Sequence, residues 1–166
     1  MNEMKRRRIS PETKLPRLLF KNVLAPIDGS KNSRRAIRIA AAIAKKYGAR
    51  LFVIHVVQTP VYPYIGEMGQ MPSPFIGEYM DFADREAKKL VNGGVLLAKS
   101  HGVRATGQVV MYVPSIVEAI TDFAAKNRVD LIVIGTRGLS GFKKLLLGSV
   151  TSGIISHAHC EVLVVR

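Results

Sequence analysis

Apolar residues along this chain follow two alternating rhythms. In short runs almost every position is apolar: 18–20 with 23–27, then 51–57, 107–111, 131–134 and 162–165. Between them lie longer stretches in which apolar residues return every third or fourth position. The first rhythm is that of a strand covered on both faces, the second that of an amphipathic helix. Lys21 and Asn22 interrupt the first strand, which ends at Asp28-Gly29-Ser30. Ala105 marks the outer limit of the third.

The helical stretches carry recognisable ends. Residues 33–47 place Ala36, Ile37, Ala40, Ile43, Ala44 and Tyr47 on one face, with Ser30 or Ser33 available as the cap and Gly48 as the stop. Residues 78–101 repeat the pattern through Phe82, Ala83, Ala87, Leu90, Val91 and Leu97. Gly93-Gly94 weakens that helix by about 1 kcal/mol per glycine relative to alanine and predicts a kink. Pro114 suits the first turn of a helix over 115–127, with Ile116, Val117, Ile120, Phe123 and Ala124 inward. A last helix is expected over 149–157.

The order β-α-β-α-β-α-β-α-β predicts an α/β fold: a three-layer, Rossmann-like, five-stranded parallel sheet with right-handed crossovers and helices on both faces. Ligands of such sheets sit at the carboxyl ends of strands where strand order reverses. Strands one and four have the unusual carboxyl ends. Making them neighbours across the reversal gives the order 3-2-1-4-5 and sets Asp28 beside the segment that follows strand four.

That segment, residues 135–151, carries the candidate chemistry. Gly135 and Gly138 form a turn after the strand, and Gly148 opens the last helix with Ser149 and Thr151 in its first turn. A glycine admits close backbone approach. A helix start offers unpaired N–H groups and a partial positive charge suited to phosphate. The same residues would also serve a purely structural turn and helix start, as Asp28 would serve as a cap. Arg137 lies within reach of a phosphate on this reading, whereas Lys143 and Lys144 read as a solvated face.

The 166 residues predict a basic tail over 1–17 and one nucleotide-binding domain over 18–166. Residues 58–76, with four prolines, Tyr62, Tyr64, Met68 and Met71, are too long for an ordinary connection and read as a lid or a disordered insert. Basic residues number 25 against 12 acidic, a net charge of +13, of which residues 1–21 supply seven basic and two acidic. Lys5-Arg6-Arg7-Arg8 reads first as part of a solvated, flexible end, and it also suits nucleic acid or an anionic surface. Interleaved aromatics and a recognition-helix pattern are missing, so nucleic acid is not an expected partner. No apolar run is long enough for a membrane span. One cysteine, Cys160, excludes an internal disulfide and points to a reducing, cytoplasmic setting. His157, His159 and Cys160 match no structural zinc spacing, so no metal site is expected. His55 reads as a packed, hydrogen-bonded residue. Neither a G-x-x-x-x-G-K-[ST] loop nor a G-x-S-x-G elbow occurs, and no acid is placed to orient a water on a γ-phosphate. Binding without fast turnover is the expected mode, with slow ATP hydrolysis or anionic-surface binding by the tail as alternatives. The wholly apolar 162–165, at a predicted sheet edge, calls for a partner strand, and a two-fold homodimer would supply it.

Gly135, Gly138, Gly148 and Ser149, spaced as glycine, two residues, glycine, nine residues, glycine and serine, resemble the nucleotide signature of the universal stress protein family in its ATP-binding branch. Residues 23–30 resemble that family's opening strand and turn, and 51–57 its second strand, a likeness running from Lys21 to Arg166. It implies the 3-2-1-4-5 sheet, a dimer through the last strand, and ATP, with Mg or Mn as an accompanying cation. By position it implies that Asp28, next to Pro26, meets adenine or ribose and that the main chain of Val56 meets the adenine edge. Gly135, Arg137 and Gly138 would line ribose and phosphates, and Gly148, Ser149, Val150 and Thr151 would bind phosphates. The chain departs from the family in two places. Tyr112-Val113 stands where the family often has glycine, and His159-Cys160-Glu161 where it commonly has Pro-Cys-Pro.

Overall fold

The computed structural model describes residues 20–59, 74–138 and 147–166. Its elements are β1 (Asn22–Pro26), α1 (Lys31–Tyr47), β2 (Arg50–Gln58), α2 (Pro74–Lys99), β3 (Ala105–Val113), α3 (Ile116–Lys126), β4 (Leu131–Gly135), α4 (Ser149–His157) and β5 (Glu161–Val165). The strands form one parallel sheet in the order β3-β2-β1-β4-β5. The expected topology therefore holds.

The two faces of the sheet bury two separate cores. Val23, Ala25, Leu51, Val53, Leu131 and Val133 point to one side, where Ala36, Ile37, Ala40 and Ala44 of α1 and Val91 and Ala98 of α2 cover them. Leu24, Ile54, Val56, Ile132 and Ile134 point to the other, against Ile120, Phe123 and Ala124 of α3 and Ile154 of α4. Alternate residues of one strand feed opposite cores, which is why these strands read as unbroken apolar runs.

Several boundaries shift for physical reasons. Asn22 belongs to β1, because its backbone pairs with Arg50 and its N–H donates to Asp130 Oδ2 at 2.8 Å. Ser30, rather than Ser33, caps α1: its hydroxyl accepts from Ser33 N–H at 3.0 Å. Pro114 lies outside the first turn of α3, whose cap is Ser115 accepting from Glu118 N–H at 3.2 Å. α2 starts at Pro74, four residues before the expected boundary, and is continuous through Gly93-Gly94. A Cβ on Gly94 would lie 2.8 Å from Val53 Cγ1 and 3.1 Å from both Ile27 Cδ1 and Ile37 Cδ1. That glycine lets the helix seat against the sheet. Residues 1–19 and most of the 58–76 stretch, including the aromatic and methionine side chains of the expected lid, lie outside the described residues.

Candidate functional site

The site is built where β1 and β4 end side by side. β1 continues its pairing one step past Pro26, with Ile27 N–H donating to the Ile54 carbonyl at 2.8 Å. The chain then turns: Gly29 has φ 85°, a left-handed conformation that favours glycine, and Asp28 Oδ1 accepts from Ser30 N–H at 3.0 Å. Ser33, in the first turn of α1, donates its hydroxyl to the Ser30 carbonyl at 3.1 Å and accepts from Asp28 N–H at 3.4 Å. The aspartate is thereby fixed at the mouth of the crevice by the helix start.

β4 ends against the same helix start. A Cβ on Gly135 would lie 2.8 Å from Asn32 Cβ and 3.0 Å from Asn32 C, and one on Gly138 would collide with Asp28 Oδ2. Asn32 Nδ2 donates to the Arg137 carbonyl at 3.4 Å. Gly135 is thus required by packing against the Asn32 backbone, while the missing side chain of Gly138 leaves room for the Asp28 carboxylate beside the β4 turn. The sequence left both ligand approach and a structural turn open for them, and the packing supplies the second reason. Gly148 differs. Its φ is −72°, and a Cβ there would meet only ordinary contacts, at 3.6 Å from Arg137 Cα and the Thr136 carbonyl.

α4 begins on the opposite side of the crevice. Gly148 N–H donates to the Thr136 carbonyl at 2.8 Å, and the buried Thr151 hydroxyl donates to the Gly135 carbonyl at 2.8 Å. Both bonds tie the helix start to the β4 turn. They correct the expectation that these two donors face phosphate. The first N–H of α4 that finds a backbone carbonyl is that of Ser152, which donates to Gly148 at 2.9 Å. The N–H groups of Ser149, Val150 and Thr151 have no acceptor among the described residues. They form the unpaired turn of a helix start. The Ser149 side chain is exposed beside them.

All ten residues anticipated from the sequence, Pro26, Asp28, Val56, Gly135, Arg137, Gly138, Gly148, Ser149, Val150 and Thr151, line one cavity of about 220 Å³. Seven further residues join them: Ile27, Ser33, Ile54, His55, Ile116, Ile120 and Ile134. Ile116 and Ile120 were legible only as the inner face of a helix, and Ile54 and Ile134 only as strand core. Nothing in the sequence distinguishes a core position from a pocket wall. His55 Nδ1 lies 2.7 Å from the Ile27 carbonyl. Because a carbonyl only accepts, Nδ1 carries the hydrogen, as expected of a packed histidine. The cavity thus combines an aliphatic wall with one carboxylate, one guanidinium and an N–H-rich helix start.

Elsewhere, burial and the nearby Glu161 and Asp130 carboxylates raise the Cys160 thiol above its ordinary value. Among the described residues no three His, Cys, Asp or Glu side chains converge as a metal site would need, and no helix is long and apolar enough to cross a membrane. Tyr112, near the end of β3, has φ 53°, a left-handed conformation uncommon for a residue other than glycine.

Comparison with known proteins agrees with this geometry. A universal stress protein of Methanocaldococcus jannaschii is 37% identical over 148 residues, covering 89% of this chain and 83% of the relative. The structure of the universal stress protein UspA from Lactobacillus plantarum superimposes with a TM-score of 0.75 at 26% identity, over 89% of this chain and 98% of that one. That of a universal stress protein from Archaeoglobus fulgidus in complex with dAMP superimposes with a TM-score of 0.66 at 21% identity, over 90% and 100%. The sequence profile of the universal stress protein family matches residues 19–166, and the chain belongs to that family.

Proposed function

We propose that the chain is an ATP-binding universal stress protein, a regulatory module in the ATP-binding branch that holds the nucleotide between the ends of β1 and β4. The observation carrying this reading is the pairing of an aliphatic pocket with the three N–H groups of Ser149, Val150 and Thr151 that have no acceptor among the described residues. An adenine ring suits the wall made by Ile54, Val56, Ile116 and Ile120. The α4 start suits phosphate. Asp28, with one oxygen engaged by Ser30, offers the other to a ribose hydroxyl or the adenine amino group. Arg137 would add charge at the phosphates, and a divalent cation, Mg or Mn, would arrive with them. The Archaeoglobus fulgidus relative binds dAMP, but at 21% identity that likeness supports the fold rather than the ligand. The pocket chemistry therefore carries the argument.

Three hydrogen bonds to charged phosphate at about 1.5–3 kcal/mol each, plus a buried base, exceed the association cost by enough for a dissociation constant of about 1 μM. Among the described residues Asp28 is the only carboxylate lining the cavity, and its Oδ1 is already engaged. This favours binding over turnover. Titration calorimetry with ATP tests the reading on the unsubstituted chain and on Gly148→Val. A Cβ at 148 meets only ordinary contacts, and the valine variant, with its fold checked by circular dichroism, should lose at least about tenfold in affinity. Equal affinities, or no heat with either protein, would end the proposal. Phosphate release that Ser149→Ala abolishes while leaving binding intact would move the assignment to a slow ATP hydrolase.

A further inference from the structure

The charge excess of the folded body is concentrated on one helix. Beyond Lys21 the chain has 18 basic and 10 acidic residues. Six of the basic residues and none of the acidic ones lie on α1: Lys31, Arg34, Arg35, Arg38, Lys45 and Lys46. The remaining 12 and 10 nearly cancel. All six are exposed, and the only other exposed positions of α1 are Ala42 and Tyr47. Their spacing of three and four places them in a single stripe about 22 Å long from Lys31 to Lys46. The opposite side of the helix, Ala36, Ile37, Ala40, Ala41 and Ala44, is buried in the core.

This arrangement works against the helix itself. Lys31 and Arg35, and Arg34 and Arg38, are like charges four residues apart, and the first turn carries cations where the macrodipole favours anions. The neighbouring α2 shows the ordinary solution, pairing Lys88 with Asp84 at 2.6 Å and Lys89 with Glu86 at 2.7 Å. No cation of α1 has a carboxylate partner among the described residues. A mononucleotide in the crevice reaches only the start of α1, where Ser33 lines the cavity. Lys45 and Lys46 stand at the far end of the molecule.

We propose that the exposed face of α1 docks on the phosphate backbone of double-stranded nucleic acid, without reading bases. A protein partner would call for apolar contact at its centre, and this stripe offers only Ala42 and Tyr47. A flat anionic membrane would press on α2 as well, since it packs beside α1, and there four acids (Glu78, Asp81, Asp84 and Glu86) offset four cations (Arg85, Lys88, Lys89 and Lys99), so α2 adds no net attraction. A rod-shaped duplex can lie along one helix, and it needs only phosphate contacts. The sequence lacked base-reading signals, and phosphate docking requires none. The proposal is independent of the nucleotide reading.

The test is fluorescence anisotropy of the full chain with two labelled DNA duplexes of unrelated sequence, each about 25 base pairs, across a salt series. The decisive variant is Arg35→Gln with Arg38→Gln and Lys45→Gln. Its control removes the same charge elsewhere, by Arg85→Gln with Lys126→Gln and Arg166→Gln. We expect both duplexes to bind alike. The α1 variant should lose more than about tenfold in affinity near 0.1 M salt and flatten the salt slope by about 3, while the control stays within about twofold. Equal losses in the two variants would reduce the effect to net charge. An unchanged α1 variant would place any binding on the basic tail. Loss of binding to vesicles containing phosphatidylserine, with duplex binding retained, would assign the face to membranes. Any of these three results would overturn the proposal.

Discussion

Thr151 shows how much of this site rests on single atoms. Its side chain is 3% exposed, and its hydroxyl closes the gap between the α4 start and the β4 turn through the Gly135 carbonyl at 2.8 Å. Thr151→Val keeps the shape and removes the donor, leaving a carbonyl short of one partner in a buried place. That should cost about 1–2 kcal/mol, seen as a lower urea midpoint at unchanged slope, and Thr151→Ser should recover most of it. Gly135 and Gly138 illustrate a second residue-scale lesson. The sequence marked both as special, but their reason lies in Asn32 and Asp28, more than 100 residues earlier. A reader of the sequence sees that a side chain is missing, and only the fold shows what occupies its place.

At the scale of elements, α2 carries two adjacent glycines with opposite roles. A Cβ on Gly93 would meet nothing within 4 Å, so Gly93→Ala should gain the helix propensity difference and stabilise by about 0.5–1 kcal/mol. Gly94 faces Val53, Ile27 and Ile37 at 2.8–3.1 Å. There the same propensity gain competes with overpacking of about 1–3 kcal/mol, and the packing term wins. Gly94→Ala should therefore lower the melting temperature while Gly93→Ala raises it, and thermal denaturation of the two variants checks the pair. The pattern of 78–101 marked the helix but not the different roles of its two glycines, because propensity is local and the contacts that decide Gly94 come from Ile27, Val53 and Ile37.

The whole molecule has one edge strand that invites a partner. β5 lies at the end of the sheet, and Leu163 within it is 38% exposed, with Ile155 of the adjacent α4 at 47%. An apolar open edge is an aggregation hazard unless a second copy covers it. We expect a two-fold homodimer through residues 162–165. Light scattering at micromolar concentration should give twice the 18.2 kDa chain mass, and Leu163→Lys should reduce it to one chain. A single-chain mass for the unsubstituted protein would refute the expectation. The opposite edge, β3, has Tyr112 at φ 53° one residue before its end at Val113.

The sequence alone determined the number, type and order of the elements, because burial on two faces or on one leaves different periods in the residues themselves. It also determined which strand ends were unusual, since glycine and aspartate at those places conflict with strand propensity. The tertiary structure decided the rest. It selected which donors at the α4 start remain unpaired and turned Ile54, Ile116, Ile120 and Ile134 from core into pocket wall. These outcomes depend on contacts between residues distant in the chain, and no local pattern encodes a distance that is set only when the layers close.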